Sequence, residues 1–279
     1  MKQIKFLRSF YTALTVIGII VAFGFANLPT RNLEVTFLDV GQGDAILIRT
    51  PQNQKILVDA GPAGKILPSL SKELNFFERK IDLIVLTHPD TDHVAGFVEV
   101  LKRFEVKNVL LTGVRHETKW YAEILAQIYK QQIPVFIANA EDDFKFGEVA
   151  LDVFWPNESF VARSMEDANA ISVSMRVVFG ETAVVLTGDL DVASEKEIVA
   201  TSQNLKAQVF KLGHHGSKTS NSDEFLSAVN PEIVIVSAGK DNKFGHPSPK
   251  ILRRVWGLEV LETSELGNVK LVSDGLKWK

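Results

Sequence analysis

Directly after the apolar run IDLIVL, six residues bring together two imidazoles and two carboxylates: His88, Asp90, Asp92 and His93. Groups of this polarity cannot enter a core unpaired, because burying unpartnered charge costs several kcal/mol or more. The chain must therefore end a buried strand here and open a loop in which ligand-type side chains collect, as loops at strand ends commonly do. A helix N-cap accounts for one aspartate; it leaves the second carboxylate and both imidazoles unexplained. The sequence has no cysteine, so a metal site in it must be built from His, Asp and Glu. A mixed nitrogen and oxygen set of this kind suits zinc, manganese or iron.

Around this cluster, short apolar runs alternate with helical patterns from Leu33 onward. EVTFLDV, DAILIRT and KILVDAG read as three strands broken by Gly, Gln and Asn. Helices are predicted near Ile66 to Phe77, Val94 to Phe104 and Lys119 to Lys130, and FKFGEVALDVFW reads as an antiparallel hairpin. A second set follows. The runs SVSMRVVFG, ETAVVLTGD, AQVFKLGHH and PEIVIVSAG are strands, with helices near Ala193 to Ala200, Asp223 to Val229 and after Pro247. The tail LEVLETSELGNVKLVS is predicted to close with a hairpin. Two halves that each mix strands with helices predict an α/β fold, with two sheets face to face and helices outside.

The N-terminus is different. Residues 9–30 carry no charge and are mostly apolar, and Lys2, Lys5 and Arg8 precede them. About 20 apolar residues span a bilayer core, and positive charge on the N-side keeps that end in the cytoplasm. Residues 1–30 are therefore predicted to be a membrane anchor and linker, with residues 31–279 as one extracytoplasmic domain. A cleaved signal peptide or a buried helix are the competing readings. A net charge of −3 offers no global attraction to nucleic acid, so any such attraction must be local.

Other ligand-type residues also sit at strand ends. LTGD ends an apolar run in Asp189, and VDAG ends one in Asp59. KLGHHGS ends one in the adjacent pair His214 and His215. Neighbouring strand residues face opposite ways, so this pattern lets one ring meet a metal while the other packs or meets substrate. His246 lies in a Gly-His-Pro turn before a helix. His116 reads as a surface residue. Lys211, Lys218, Lys240 and Lys243 are candidates for a basic rim, and Trp155 and Phe244 for base stacking.

FLDVGQGDAILI, LVDAG, LTHPDTDHVAG, NAIS, LTGD, KLGHHGSKTS and GHP, in this order, resemble the metallo-β-lactamase superfamily. Within it they are most similar to the hydrolase domain of the competence protein ComEC. The resemblance runs from about Leu33 to the C-terminus and implies a four-layer αββα sandwich. Asp90 stands where the superfamily more often has His, which hardens the site and argues against β-lactam hydrolysis.

The resemblance further implies two divalent metal ions, zinc or manganese. His88 and Asp90 would hold one, Asp92 and His93 the other, and Asp189 would bridge them. His214 or His215, with His215 preferred, would complete the second site. Asp59 would orient a ligand from behind. Asp39, Gln42, Gly43 and Asp44 would form a signature at the rim, with Asp44 as further support. Asn169, Ser217, Lys218 and His246 would line the substrate side, and His246 or Asp92 would handle the proton.

The implied activity is phosphodiester hydrolysis, with DNA as substrate and a link to DNA uptake in competence. The chain has too few membrane spans to conduct DNA itself, so a separate membrane channel protein is an expected partner. An esterase of the same fold for small phosphodiesters, and a non-catalytic DNA-binding component of an uptake apparatus, are the alternatives.

Overall fold

The computed structural model describes residues 7–8, 10–19, 31–140, 143–165 and 167–279. From Leu33 the chain forms strands β1 (Leu33–Phe37), β2 (Ile46–Arg49), β3 (Lys55–Val58), β4 (Lys80–Ile81), β5 (Leu83–Val85), β6 (Glu105–Val106), β7 (Val109–Leu111) and β8 (Val135–Ile137). The second half adds β9 (Asp143–Phe146), β10 (Val149–Trp155), β11 (Ser174–Phe179), β12 (Thr182–Leu186), β13 (Val209–Lys211), β14 (Ile233–Val236), β15 (Glu259–Glu262) and β16 (Val269–Ser273). Two seven-stranded sheets result, ordered β16-β1-β2-β3-β5-β7-β8 and β15-β14-β13-β12-β11-β10-β9, beside a small β4-β6 pair.

Strand alternation explains the layers. In β2, Ile46 and Ile48 point into the core between the sheets, against Leu151, Met175, Val177 and Val184. Leu47 between them points outward and packs beneath Ile66, Phe97, Leu101, Ile124 and Ile128. Those residues lie on or beside helices α1 (Ile66–Glu73), α3 (Phe97–Arg103) and α4 (Lys119–Gln131); α2 (Thr91–Val94) is a single turn between α1 and α3. Across the molecule, Val185, Phe210 and Val234 meet Ile198, Phe225 and Ile251 on α5 (Val192–Ala200), α6 (Asp223–Val229) and α7 (Pro249–Arg254). Sheets covered on both faces read as continuous apolar runs, and the predicted helix–sheet–sheet–helix order is what forms.

Three local predictions change. The first helix stops at Glu73, before Asn75 and Phe77. The second helix, predicted from Val94, is preceded by the separate turn α2 and itself begins at Phe97. The tail is no hairpin. β15 joins the second sheet parallel to β14, while β16 crosses to the first sheet and runs antiparallel to β1. The turn α8 (Thr263–Leu266) lies between them and redirects the chain from one sheet to the other.

Of the predicted anchor and linker, residues 7–8 and 10–19 are helical and exposed; residues 1–6, 9 and 20–30 lie outside the described residues. Among the described residues no helix is long and apolar enough to cross a membrane.

Within each sheet four adjacent strands, running from the middle to one edge, are parallel: β3, β5, β7 and β8 in the first, β12, β13, β14 and β15 in the second. Parallel strands end at one edge, and open α/β sheets bind ligands at their carboxyl ends. Asp59 follows β3, His88 follows β5, Asp189 follows β12 and His214 follows β13.

Candidate metal centre

Asp189 is the hub. Its carboxylate lies 3.2 Å from His93 Nε2, 3.5 Å from His215 Nε2, 3.6 Å from His214 Nε2 and 4.0 Å from His88 Nε2. Asp92 Oδ2 is 3.5 Å from His215 Nε2, and Asp90 Oδ2 is 3.9 Å from His88 Nε2. Asp90 occupies the N-cap of α2, but its carboxylate makes no capping hydrogen bond. It faces the imidazoles instead, which removes the helix-cap explanation for that residue.

Each ring is fixed from behind. Asp59 accepts from Thr87 N (2.9 Å) and Thr87 Oγ1 (2.6 Å), and its Oδ2 lies 2.8 Å from His93 Nδ1. Asp59 thus holds the His93 ring with its Nε2 toward Asp189. Thr87 Oγ1 is also 3.0 Å from His88 Nδ1, and His215 Nδ1 is 2.9 Å from Ser237 O. Ser172 Oγ accepts from Asp189 N at 3.2 Å. The sequence reading missed the roles of Thr87 and Ser237; for Thr87 the available signal was a hydroxyl between a strand end and the first imidazole.

His214 and His215 do not divide as an extended strand would divide them. β13 ends at Lys211, and both histidines have left-handed backbone angles, φ 49° and 54°. Such angles cost non-glycine residues about 1–3 kcal/mol and cluster at functional sites. Here they aim both rings at Asp189.

Electrostatics follow from burial and proximity. Burial, helped by His93, pushes His88 down to about 3. Burial also opposes charge on His215, yet the Asp189 and Asp44 carboxylates lift it to about 9. Against the same opposition from burial, Asp189 and Asp59 hold His93 well above the ordinary histidine range. Burial raises the cost of an ionised Asp189, but His93 and His215 keep its carboxyl well below the usual range.

Among the described residues, buried His88 Nε2, His93 Nε2, His215 Nε2 and Asp189 Oδ1 have no hydrogen-bond partner. Four orphaned donor atoms converging on one point are costly unless a cation satisfies them. One atom each from Asp44, His93, Asp189 and His215 also lies within 4.8 Å of the others. The residues therefore fit divalent metal. Cation binding must displace protons from His93 and His215. Apparent metal affinity is accordingly expected to rise with pH toward about 9, with proton release at pH 7 when calorimetry is run in buffers of different ionisation heat. Equal heats in all buffers would contradict the protonated rings.

Asp44 is at no rim. It is buried, pairs with the fully buried Lys211 ammonium, and lies 3.2 Å from His215 Nδ1. Lys211 is thus removed from the predicted basic rim, because β13 is a central strand with both faces covered. Lys218, Lys240 and Lys243 are exposed. Asp39 Oδ1 accepts from Gly41 N, and Gln42 Oε1 accepts from Gly239 N, tying the signature loop to the second half. Gly43, at φ 128°, has no room for a Cβ, which would stand 2.0 Å from Asp92 O; the glycine lets this loop press against the ligand loop.

His246 lies beside the cluster, its ring 5.5 Å from His214 and 6.3 Å from His215. Burial and those two rings push it down to about 4. Asn169 Oδ1 is buried and has no hydrogen-bond partner among the described residues. Ser217 Oγ bonds Thr219 Oγ1 at 2.9 Å, and Lys218 points to solvent. Two further corrections concern aromatic and imidazole rings. Trp155 is buried and donates to Ala170 O, so it cannot stack on a substrate. His116 is no plain surface residue, since its Nε2 stands 3.9 Å from Asp90 Oδ1. Phe244 is exposed and stacked on His246 at 5.9 Å.

A buried cage of imidazoles and carboxylates at the joined edges of two sheets defines a metal-dependent hydrolase of a familiar class. The chain belongs to the metallo-β-lactamase superfamily, whose family model matches residues 38–240. More particularly, it is 34% identical over 248 residues to competence protein ComA of Neisseria gonorrhoeae, covering 86% of this chain and 32% of that protein. It is 28% identical over 257 residues to ComE operon protein 3 of Bacillus subtilis (strain 168), covering 85% and 32%. The chain therefore spans about a third of the length of these ComEC-type relatives. In fold it is similar to the metallo-β-lactamase fold protein YhfI from Bacillus subtilis (TM-score 0.59, 14% identity, 87% of this chain and 99% of that one). It is also similar in fold to the metallo hydrolase Igni18 from Ignicoccus hospitalis KIN4/I (TM-score 0.56, 17% identity, 86% and 98%).

Proposed function

We propose that this chain is a two-metal phosphodiesterase that cleaves DNA outside the cytoplasm, in connection with DNA uptake. The observation that carries the reading is the convergence of four imidazole nitrogens within 3.2–4.0 Å of Asp189. His88 and Asp90 would hold one cation and Asp92, His93 and His215 the other, with Asp189 available to both; His214 Nε2 also lies 3.6 Å from the Asp189 carboxylate. Zinc and manganese both suit such donors. When bound, a metal pair supplies Lewis acidity and lowers the pKa of water from 15.7 to about 7.

The chain's own residues do the rest. Asp59 and Ser237 hold His93 and His215 in register. His246, pushed down to about 4, is a neutral imidazole at pH 7 and can hydrogen-bond to a substrate beside the cluster. Lys218, Lys240 and Lys243 supply local positive charge for a polyanion despite the net charge of −3.

DNA as substrate is supported by the competence names of the relatives above. It is also supported by 28% identity over 120 residues to exodeoxyribonuclease WalJ of Streptococcus pneumoniae, covering 43% of each protein. An anchoring role for the N-terminus is supported by the exposed Phe10, Tyr11, Leu14 and Ile17. In this reading the domain works on the outer face of the cytoplasmic membrane beside a separate channel protein.

The test compares single-stranded DNA, plasmid DNA and bis(p-nitrophenyl) phosphate as substrates with zinc and manganese. Metal-dependent cleavage of DNA is expected. Hydrolysis of the small ester alone would move the assignment to a small-molecule esterase. DNA binding without turnover of either substrate would leave only a binding component.

A further inference from the structure

β3, β5 and β7 lie side by side and parallel. The first two end in Asp59 and in the His88 loop. The third opens into residues 113–118, which together with Val161, Ala162, Ser164, Met165 and the α4 residues Tyr121 and Leu125 line a cleft of about 960 Å³. Backbone bonds from Ala162 N to Gly113 O (2.9 Å) and from Arg115 N to Arg163 O (2.8 Å) hold the two loop segments side by side. Thr118 caps α4, its side chain accepting from Tyr121 N, which fixes the turn where the first segment meets the helix. His116 belongs to both regions: it lines the cleft, and its Nε2 is 3.9 Å from Asp90 Oδ1. The cleft therefore opens beside the metal cluster at its Asp90 end.

Its lining is mixed, with Glu117, Thr118 and Ser164 among its polar residues. Tyr121, Leu125, Val161 and Met165 give an apolar face. Arg115 is exposed and pairs with no carboxylate among the described residues. A ligand that meets the apolar face and Arg115 needs an apolar part and an anion, the anion placed on the Arg115 side and away from the Glu117 carboxylate. The volume lies at the top of the ~300–1,000 Å³ range of small-ligand sites, more than a simple phosphate ester without a ring requires.

We propose that this cleft is a nucleotide subsite, taking the base and sugar on one side of the scissile phosphodiester, with Arg115 on the next phosphate. The inference rests on the phosphodiesterase reading and names part of its substrate. Bases stack on apolar and aromatic side chains with little regard to sequence. The subsite therefore recognises a nucleotide without selecting a particular base.

The experiment measures binding of fluorescein-labelled phosphorothioate trithymidylate to the full chain by anisotropy. Val161→Trp fills the cleft and is expected to raise Kd about tenfold or more. Val161→Ile, which keeps it open, stays within about twofold of wild type. Arg115→Ala raises Kd and lowers the salt dependence by about one counterion. Val161 is half exposed, so the substitutions are expected to leave the thermal melt unchanged. Unchanged affinity in both Val161→Trp and Arg115→Ala overturns the subsite, even if the wild type cleaves DNA. Weakened binding in both, with no cleavage by wild type, supports the subsite and overturns only the phosphodiesterase reading. A wild-type chain that does not bind the probe overturns the subsite as well.

Discussion

Asp189→Asn protein is expected to keep its fold and lose about a thousandfold in phosphodiester hydrolysis, the scale on which removing a central electrostatic element from an active site is felt. The substitution is nearly isosteric, and the backbone at position 189 is held independently, by Ser172 Oγ. What changes is charge. Asp189 stands within 4.0 Å of the ring nitrogens of His88, His93, His214 and His215, so it is the carboxylate both proposed metal positions share. An amide offers no negative charge to either. Turnover with manganese and zinc, read beside the far-ultraviolet spectrum, checks the expectation. A variant retaining more than a tenth of wild-type activity would remove Asp189 from the centre of the mechanism.

The second large effect concerns stability. Lys211→Met is expected to cost about 3–5 kcal/mol, because it breaks a buried ion pair and leaves one charge behind. Both partners are within 1% of complete burial. Burial favours neutralising Asp44, and the charges of Lys211 and His215 hold its carboxyl ionised against that. With the ammonium gone, Asp44 faces His215 alone. The double variant Asp44→Asn, Lys211→Met is expected to recover more than half of the loss, since it removes the stranded charge as well. Denaturant midpoints of the three proteins give the comparison. Equal stability of Lys211→Met and wild type would mean that Asp44 finds another partner.

The Lys211 case also shows where sequence reading runs out. The lysine ends the run AQVFK, and a lysine beside two histidines reads naturally as part of a basic rim. The overlooked signal was position: the strand is apolar on both faces, and lysine in such a strand is rarely buried without a partner. That partner is Asp44, 167 positions earlier, beyond the reach of any local pattern. His116 was misread for the same reason, because its neighbour Asp90 arrives from a different strand end.

His88, Asp90, Asp92, His93 and Asp189 were legible because each follows an apolar run, and strand ends of parallel sheets meet at one edge. The two adjacent histidines were only half legible. The residues announced a site, but pleat logic assumed an extended backbone where the chain turns left-handed. The tail failed differently. Gly267 and Asn268 signal a reversal of direction, yet nothing local states that β15 and β16 belong to different sheets.

The account stands on a pair of cations held between the two sheets. Metal content of the purified full-length chain, measured by mass spectrometry after dialysis against excess zinc or manganese, tests this most directly. About two divalent ions per chain are predicted for wild type, and one or none for Asp189→Asn. A wild-type chain that remains metal-free under those conditions would contradict the account.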